Sequence, residues 1–185
     1  MDTDSQLQKA PARQPWLFSD DIKRGFFGRI RRELRPHALN LRRLYFNRLW
    51  GMDIGPDCMI SFEAKLDKTF PKGVHIGPST AINFGVCILT HDYPRNMHVH
   101  TWIGRECQIG ARSIILPGIR IGDNCVVAAA SVVMKDVPPN CLVAGNPARV
   151  MEKNIRTGRW GKIIRDKQED APAVDDKAAS SGETR

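Results

Sequence analysis

Four histidines are the residues in this sequence with the widest chemical reach: His75, His91, His98 and His100. Three of them sit in ILTHDYPRNMHVHTWIG, residues 88–104. An imidazole has an unperturbed pKa of about 6.5, so near neutral pH it can take a proton from a hydroxyl or amine and return it to a leaving group. General-base help of this kind is worth roughly two to four orders of magnitude in rate. Clustered imidazoles can also hold zinc, which would generate a hydroxide nucleophile. The spacing argues against that use: His91 and His98 are seven apart, His98 and His100 two apart, and the stretch has no H-x4-H pair. The sequence therefore predicts no metal. Asn83 and Asp92 flank the cluster and are candidates to hold a substrate hydroxyl or to orient the imidazole. Cys58, Cys87, Cys107, Cys125 and Cys141 form no C-x-x-C pair and follow no secretory signal. They read as reduced thiols of a cytosolic protein.

The segments that must position these residues carry a beat of six. From Ile54 the hexads run IGPDCM, ISFEAK, LDKTFP; IGPSTA, INFGVC, ILTHDY; IGRECQ, IGARSI, ILPGIR; IGDNCV, VAAASV, VMKDVP. The first residue of each is Ile, Leu or Val in all twelve. A fixed hexapeptide period predicts a solenoid of the parallel β-helix type, three hexads to a triangular coil. The faces differ in a recurring way. The second residue is glycine in the first hexad of every set (Gly55, Gly77, Gly104, Gly122), whereas in the third it is Asp67, Leu89, Leu116 and Met134. Glycine suits a corner with positive φ, and a small fifth residue such as Cys58, Ala64, Thr80, Cys107, Ser113, Cys125 or Ser131 suits a narrow interior. Rungs about 4.8 Å apart make four coils a prism on the order of 20 Å tall, a thin core that favours symmetric association.

Two phase shifts break the beat: KGVH at 72–75 and PRNMHVHTW at 94–102. Both follow the third hexad of a coil, so they leave the prism at one corner, and insertions on one edge of a repeat usually build its binding surface. Around this core the chain divides into a flexible N-terminus at 1–21, a basic amphipathic arm at 22–50, the β-helix domain at 51–150, a C-terminal arm at 151–165 that is a short helix or extended, and a disordered tail at 166–185. The arm holds nine Lys/Arg against one acid, Glu33, a balance of +8 that equals the net charge of the whole chain. With its aromatic and leucine side chains, such an arm either lies on an anionic membrane surface or packs against the domain. No nucleic-acid recognition motif accompanies the charge, and no apolar run reaches the roughly 20 residues of a membrane span. The expected location is the cytoplasm, and the inner face of the membrane if the arm takes the first of those roles.

WIG, ILPG, IGD, VV-x-KDVPPN and AGNPARV occur here in an order that resembles the hexapeptide-repeat acyltransferases, which include sugar, galactoside and maltose O-acetyltransferases. The likeness covers roughly residues 54–150. It implies a left-handed parallel β-helix, a homotrimer, and acetyl-CoA as co-substrate in a groove between prisms. It also implies that His91 is the general base and that the backbone amide of Arg105, just after W-I-G, donates to the developing oxyanion. Ala129 would lie beside the pantetheine, Lys135 and Arg149 at the nucleotide phosphates, and Trp102 against the acyl pocket. Arg105 and Met134 depart from the small residue and threonine common at these places.

The resulting expectation is transfer of acetyl from acetyl-CoA to a hydroxyl of a sugar or polysaccharide precursor. An amine on a nucleotide-linked amino sugar is the alternative acceptor. The rivals are a zinc enzyme resembling the γ-class carbonic anhydrases and a non-catalytic β-helix scaffold. Serine is a poorer acceptor, because the N-terminal arm is too short for the helical domain of serine acetyltransferases.

Overall fold

In the computed structural model, which describes residues 38–165, the hexads wind into a three-faced prism of parallel two-residue strands. The twelve aliphatic positions stack as columns. Ile54, Ile76, Ile103 and Ile121 are in register on the first face. Ile60, Ile82, Ile109 and Val127 line the second, continued by Val143. Leu66, Ile88, Ile115 and Val133 line the third. None of the twelve is more than 6 % exposed, so each contributes roughly 1.5–3 kcal/mol of burial. A two-residue strand has no stability alone; it exists because the coils above and below complete its hydrogen bonds and its side of the core.

The small fifth residues fill the interior as expected and also bind the coils together. Cys58 Sγ, Thr80 Oγ1, Cys107 Sγ and Cys125 Sγ donate to the carbonyls of Gly77, Gly104, Gly122 and Pro138, each one coil on. The thiols therefore play the part of a hydroxyl ladder. Burial pushes the Cys58 thiol up to about 11, and all five cysteines are free.

The expectation for the glycines needs correction. Positive φ at the corner after the first face belongs to Asp57, Ser79, Glu106, Asn124 and Asn140, not to the glycines. Gly77 is required instead by close approach between coils: a Cβ there would lie 2.6 Å from the Arg105 nitrogen and the Gly104 carbonyl carbon. The physical demand is vertical packing of backbone on backbone, with the left-handed turn falling two residues later.

Both interruptions emerge at the edge between the third and first faces and pack on each other. Buried Thr90 donates its hydroxyl to the Phe70 carbonyl at 2.8 Å, and the Val99 amide donates to the Thr90 carbonyl. Buried Thr101 donates to the Leu89 carbonyl at 2.6 Å. Thr90 and Thr101 thus clamp the two ends of the longer excursion. Between them, His91–Asp92 and Met97–His98 form a small antiparallel hairpin.

At the top, Cys141–Gly145 extends the second face, and Ala148–Lys153 folds back antiparallel on it. Of the two forms expected for 151–165, the extended one is present, and its first residues complete that strand. The chain then descends the edge after the first face. The Ile155 amide donates to Asn140, the Thr157 hydroxyl to Glu106, the Trp160 amide to Ser79, and Trp160 Nε1 to Asp57. This strap satisfies the carbonyls exposed by the positive-φ turns, and an Arg159–Asp57 ion pair holds its lower end.

At the base, residues 38–44 are helical and lead into the π-helical turn Tyr45–Leu49. Phe46 and Met52 close the core from below. The Asn47 side chain pairs with both the amide and the carbonyl of Ile54, finishing the open edge of the first coil. Only part of the apolar stripe is used: Leu41, Leu44, Tyr45 and Leu49 stay exposed. The expectations for 1–21, for the first part of the arm and for 166–185 lie outside the described residues. Among the described residues no helix is long and apolar enough to cross a membrane.

Candidate active site

His91 opens the hairpin at the edge after the third face, and its ring is held by Asp67, which the sequence marks only as the second residue of its hexad. Asp67 Oδ2 accepts from His91 Nδ1 at 2.5 Å, from the His91 amide at 3.1 Å and from the Thr90 amide at 2.8 Å. Its other oxygen accepts from the Thr69 amide at 2.8 Å. The carboxylate is 3 % exposed against 31 % for the imidazole. Burial alone would raise the Asp67 pKa. The Thr90 amide, the His91 ring and the Thr69 amide outweigh it and hold the carboxyl well below the usual carboxylate range. An ionised acceptor on Nδ1 fixes the neutral ring in the tautomer whose lone pair is on Nε2. The signal for Asp67 was its place in the hexad, where the other coils carry Leu89, Leu116 and Met134.

Asp92, expected as a possible orienter, turns elsewhere. It pairs with Arg95 at 3.3 Å and accepts from the Arg95 amide. Asn83 lies in the turn after the second face, a different edge from His91.

His75 and His100 form a separate group on the first face. His75 Nδ1 meets Asp53 Oδ2 at 3.0 Å and His75 Nε2 meets His100 Nδ1 at 2.7 Å. The His75 ring stacks on Trp102 with centroids 3.6 Å apart and planes 8° apart, and Arg120 caps the other side at 5.4 Å. His98 packs against Phe70. Among the described residues no three His, Cys, Asp or Glu side chains converge to hold a metal. Trp102 lines a groove of about 460 Å³ with Gly104, Arg120 and Asp136, in which His91 takes no part.

The Arg105 amide is not the free donor that was expected. It donates to Asp123 Oδ1 at 2.9 Å, while Arg105 Nε pairs with Asp123 Oδ2 at 3.1 Å. The cause is stacking: the turn of the next coil places a carboxylate directly over this amide. Ala129 is exposed at the edge after the second face, and Lys135 is exposed after the third, two coils above His91. Arg149 is exposed on the folded-back strand opposite Ala144. Within one chain these residues therefore occupy three edges, the first face and the top: His91, Asp92 and Lys135 share one edge, and Asn83 and Ala129 share another.

Comparison with known proteins agrees with this architecture. Residues 101–135 match the family model described as the hexapeptide repeat of succinyl-transferase. SAS0727 of Staphylococcus aureus, provisionally named an acetyltransferase, is 39 % identical over 112 residues, covering 60 % of this chain and 70 % of that one. YvoF of Bacillus subtilis, named in the same way, is 37 % identical over 106 residues, 54 % of this chain and 59 % of its own length. The galactoside O-acetyltransferase of Escherichia coli is 32 % identical over 117 residues, 60 % of this chain and 58 % of the relative. This chain thus spans under two thirds of the Bacillus and Escherichia relatives. With its stacked hexads and its match to the staphylococcal protein, the chain belongs to the hexapeptide-repeat acyltransferase family and has that family's left-handed parallel β-helix.

Proposed function

We propose that this protein transfers an acetyl group from acetyl-CoA to a hydroxyl of a sugar or polysaccharide precursor, with His91 as general base. The observation that carries this reading is the buried Asp67 carboxylate on His91 Nδ1, which leaves Nε2 as the basic nitrogen toward substrate. The galactoside O-acetyltransferase among the relatives supports the sugar acceptor.

In this mechanism Nε2 removes the hydroxyl proton as the oxygen attacks the thioester carbonyl. Asp67 stabilises the imidazolium that results. As the carbon–sulfur bond breaks, the imidazolium returns its proton to the CoA thiolate. A thioester is already activated, so no side-chain nucleophile is needed. The Arg105 amide serves the carbonyl oxygen once Asp123 gives up its place on it; one such donor is worth roughly 3–4 kcal/mol.

Asn83 and Ala129 lie on one edge and His91 on another, an arrangement that favours a site shared between subunits, for which a homotrimer is the proposed assembly. Asn83, Asp92 and Trp102 would then meet the acceptor and acyl group, and Ala129, Lys135 and Arg149 the CoA. The basic arm at 22–50 would hold the enzyme at an anionic membrane surface carrying a lipid-linked precursor.

An acceptor screen with acetyl-CoA, read as release of CoA thiol, tests the reading. His91→Ala should reduce turnover by at least 10²-fold and leave the oligomer unchanged in light scattering. Unchanged turnover in that variant would refute the assignment.

A further inference from the structure

A large groove lies at the base of the prism, lined by residues other than those of the His91 site. It measures about 840 Å³, within the roughly 300–1,000 Å³ that small-ligand sites occupy. Phe46, Leu66 and Phe62 form its apolar surface, with Leu41 and Tyr45 of the helical segment as the outer wall. Phe62 is 90 % exposed and Leu41 71 %, an unusual state for large apolar side chains that line one groove.

Its charge is one-sided. Arg42, Lys65 and Lys68 lie among the lining residues, and no acid does. The Arg42 guanidinium sits 4.2 Å from the Phe62 ring and donates to the Ser61 carbonyl. Arg42 Nε is buried without a hydrogen-bond partner among the described residues. Lys68 Nζ lies 4.7 Å from the Trp50 ring. An apolar trough with a cationic rim is complementary to a molecule that has a hydrocarbon chain and an anionic head.

The position of the groove selects which amphiphile. It runs under the lowest strand of the third face, Lys65–Leu66, from the edge carrying Phe62 to the edge carrying Lys68. Leu66 and Lys68 bracket Asp67, the residue that holds His91. An anionic head on the Lys68 rim therefore arrives at the edge that bears the proposed base.

We propose that this groove binds the acceptor through its lipid carrier: the hydrocarbon tail lies along Phe62 and Leu41, the phosphate rests on Lys65 and Lys68, and the attached sugar extends toward His91. This deepens the functional reading above and rests on it for the identity of the attached group. The groove itself stands on separate residues.

Calorimetry with single-chain alkyl phosphates on the full chain tests it. Affinity should rise about three- to fourfold per added methylene from hexyl to dodecyl phosphate, with inorganic phosphate giving no heat. Phe62→Asp should weaken dodecyl phosphate at least tenfold and Lys68→Gln about fivefold. Met151→Asp, exposed on the far end of the prism, should match the unmodified protein. Phe62→Asp should leave acetyl transfer to a soluble sugar unchanged. Three results would overturn the proposal: affinity independent of chain length, equal or tighter binding of dihexanoyl phosphatidylglycerol, which would assign the groove to bulk phospholipid, or a change of oligomeric state in Phe62→Asp, which would assign it to a second copy. Acetylation of soluble sugar without alkyl phosphate binding sinks this proposal alone. Alkyl phosphate binding without acetyl transfer sinks the functional reading alone.

Discussion

Replacing Asp67 with asparagine separates the two jobs of this side chain, since it preserves shape and removes charge. The carboxylate now accepts from three amides and one ring nitrogen. An asparagine oriented to keep its oxygen on Thr90 and His91 turns its NH₂ toward the Thr69 amide, placing donor against donor. That unsatisfied buried amide costs about 1–3 kcal/mol, and the surviving bonds lose the charge that roughly doubled their strength. The sum, about 2–4 kcal/mol, corresponds to a fall in Tm of roughly 5–15 °C for a chain of this size. The loss should depend on pH in a defined direction. Because the folded carboxyl is held below the usual range, its contribution is complete above the unfolded value of about 3.9 and disappears as pH falls below it toward the folded value. Urea titrations of both proteins should therefore differ at neutral pH and converge as pH falls below the unfolded carboxyl value. In activity, Asp67 acts as a positioning residue, so Asp67→Asn should lower kcat about 10²-fold with little change in KM for acetyl-CoA. In a His91→Ala background it should have almost no further effect on rate. A kcat within twofold of the parent, or additive losses in the double variant, would refute the coupling.

Two further outcomes follow from the stacking of the coils. Gly77→Ala should destabilise by about 1–3 kcal/mol, because its Cβ meets backbone of the next coil at 2.6 Å; thermal unfolding within 2 °C of the parent would contradict this. Asp123→Ala should free the Arg105 amide and raise kcat/KM for acetyl-CoA by a few-fold, up to about tenfold, after discounting for the solvent exposure of the pair. A large fall would instead make Asp123 part of the binding site.

The hexad columns were fully legible from the chain, because a narrow prism admits only an aliphatic side chain at each inward position and that demand repeats every six residues. The exit of both excursions at one edge was legible too, from phase alone. The glycine positions were seen and given the wrong reason, since a contact between residues a full coil apart leaves no trace in local propensity. Asn83 and Asp92, which flank the cluster in sequence, were the candidates to hold a hydroxyl or orient the imidazole. In the fold, neighbours across rungs are closer than neighbours along a hairpin, and Asp67, a full coil earlier, takes the role.

What the sequence determined by itself is the repeat: its period, its faces, its broken edge and the histidine at the break, all of which depend on side-chain type and spacing. What only the tertiary structure decided is which groups meet: Asp67 on His91, Asp123 on the Arg105 amide, and the cationic groove beside Asp67. Those pairings are set by the register between coils, where a shift of one residue would turn every inward side chain outward, and register is a property of the stacked whole.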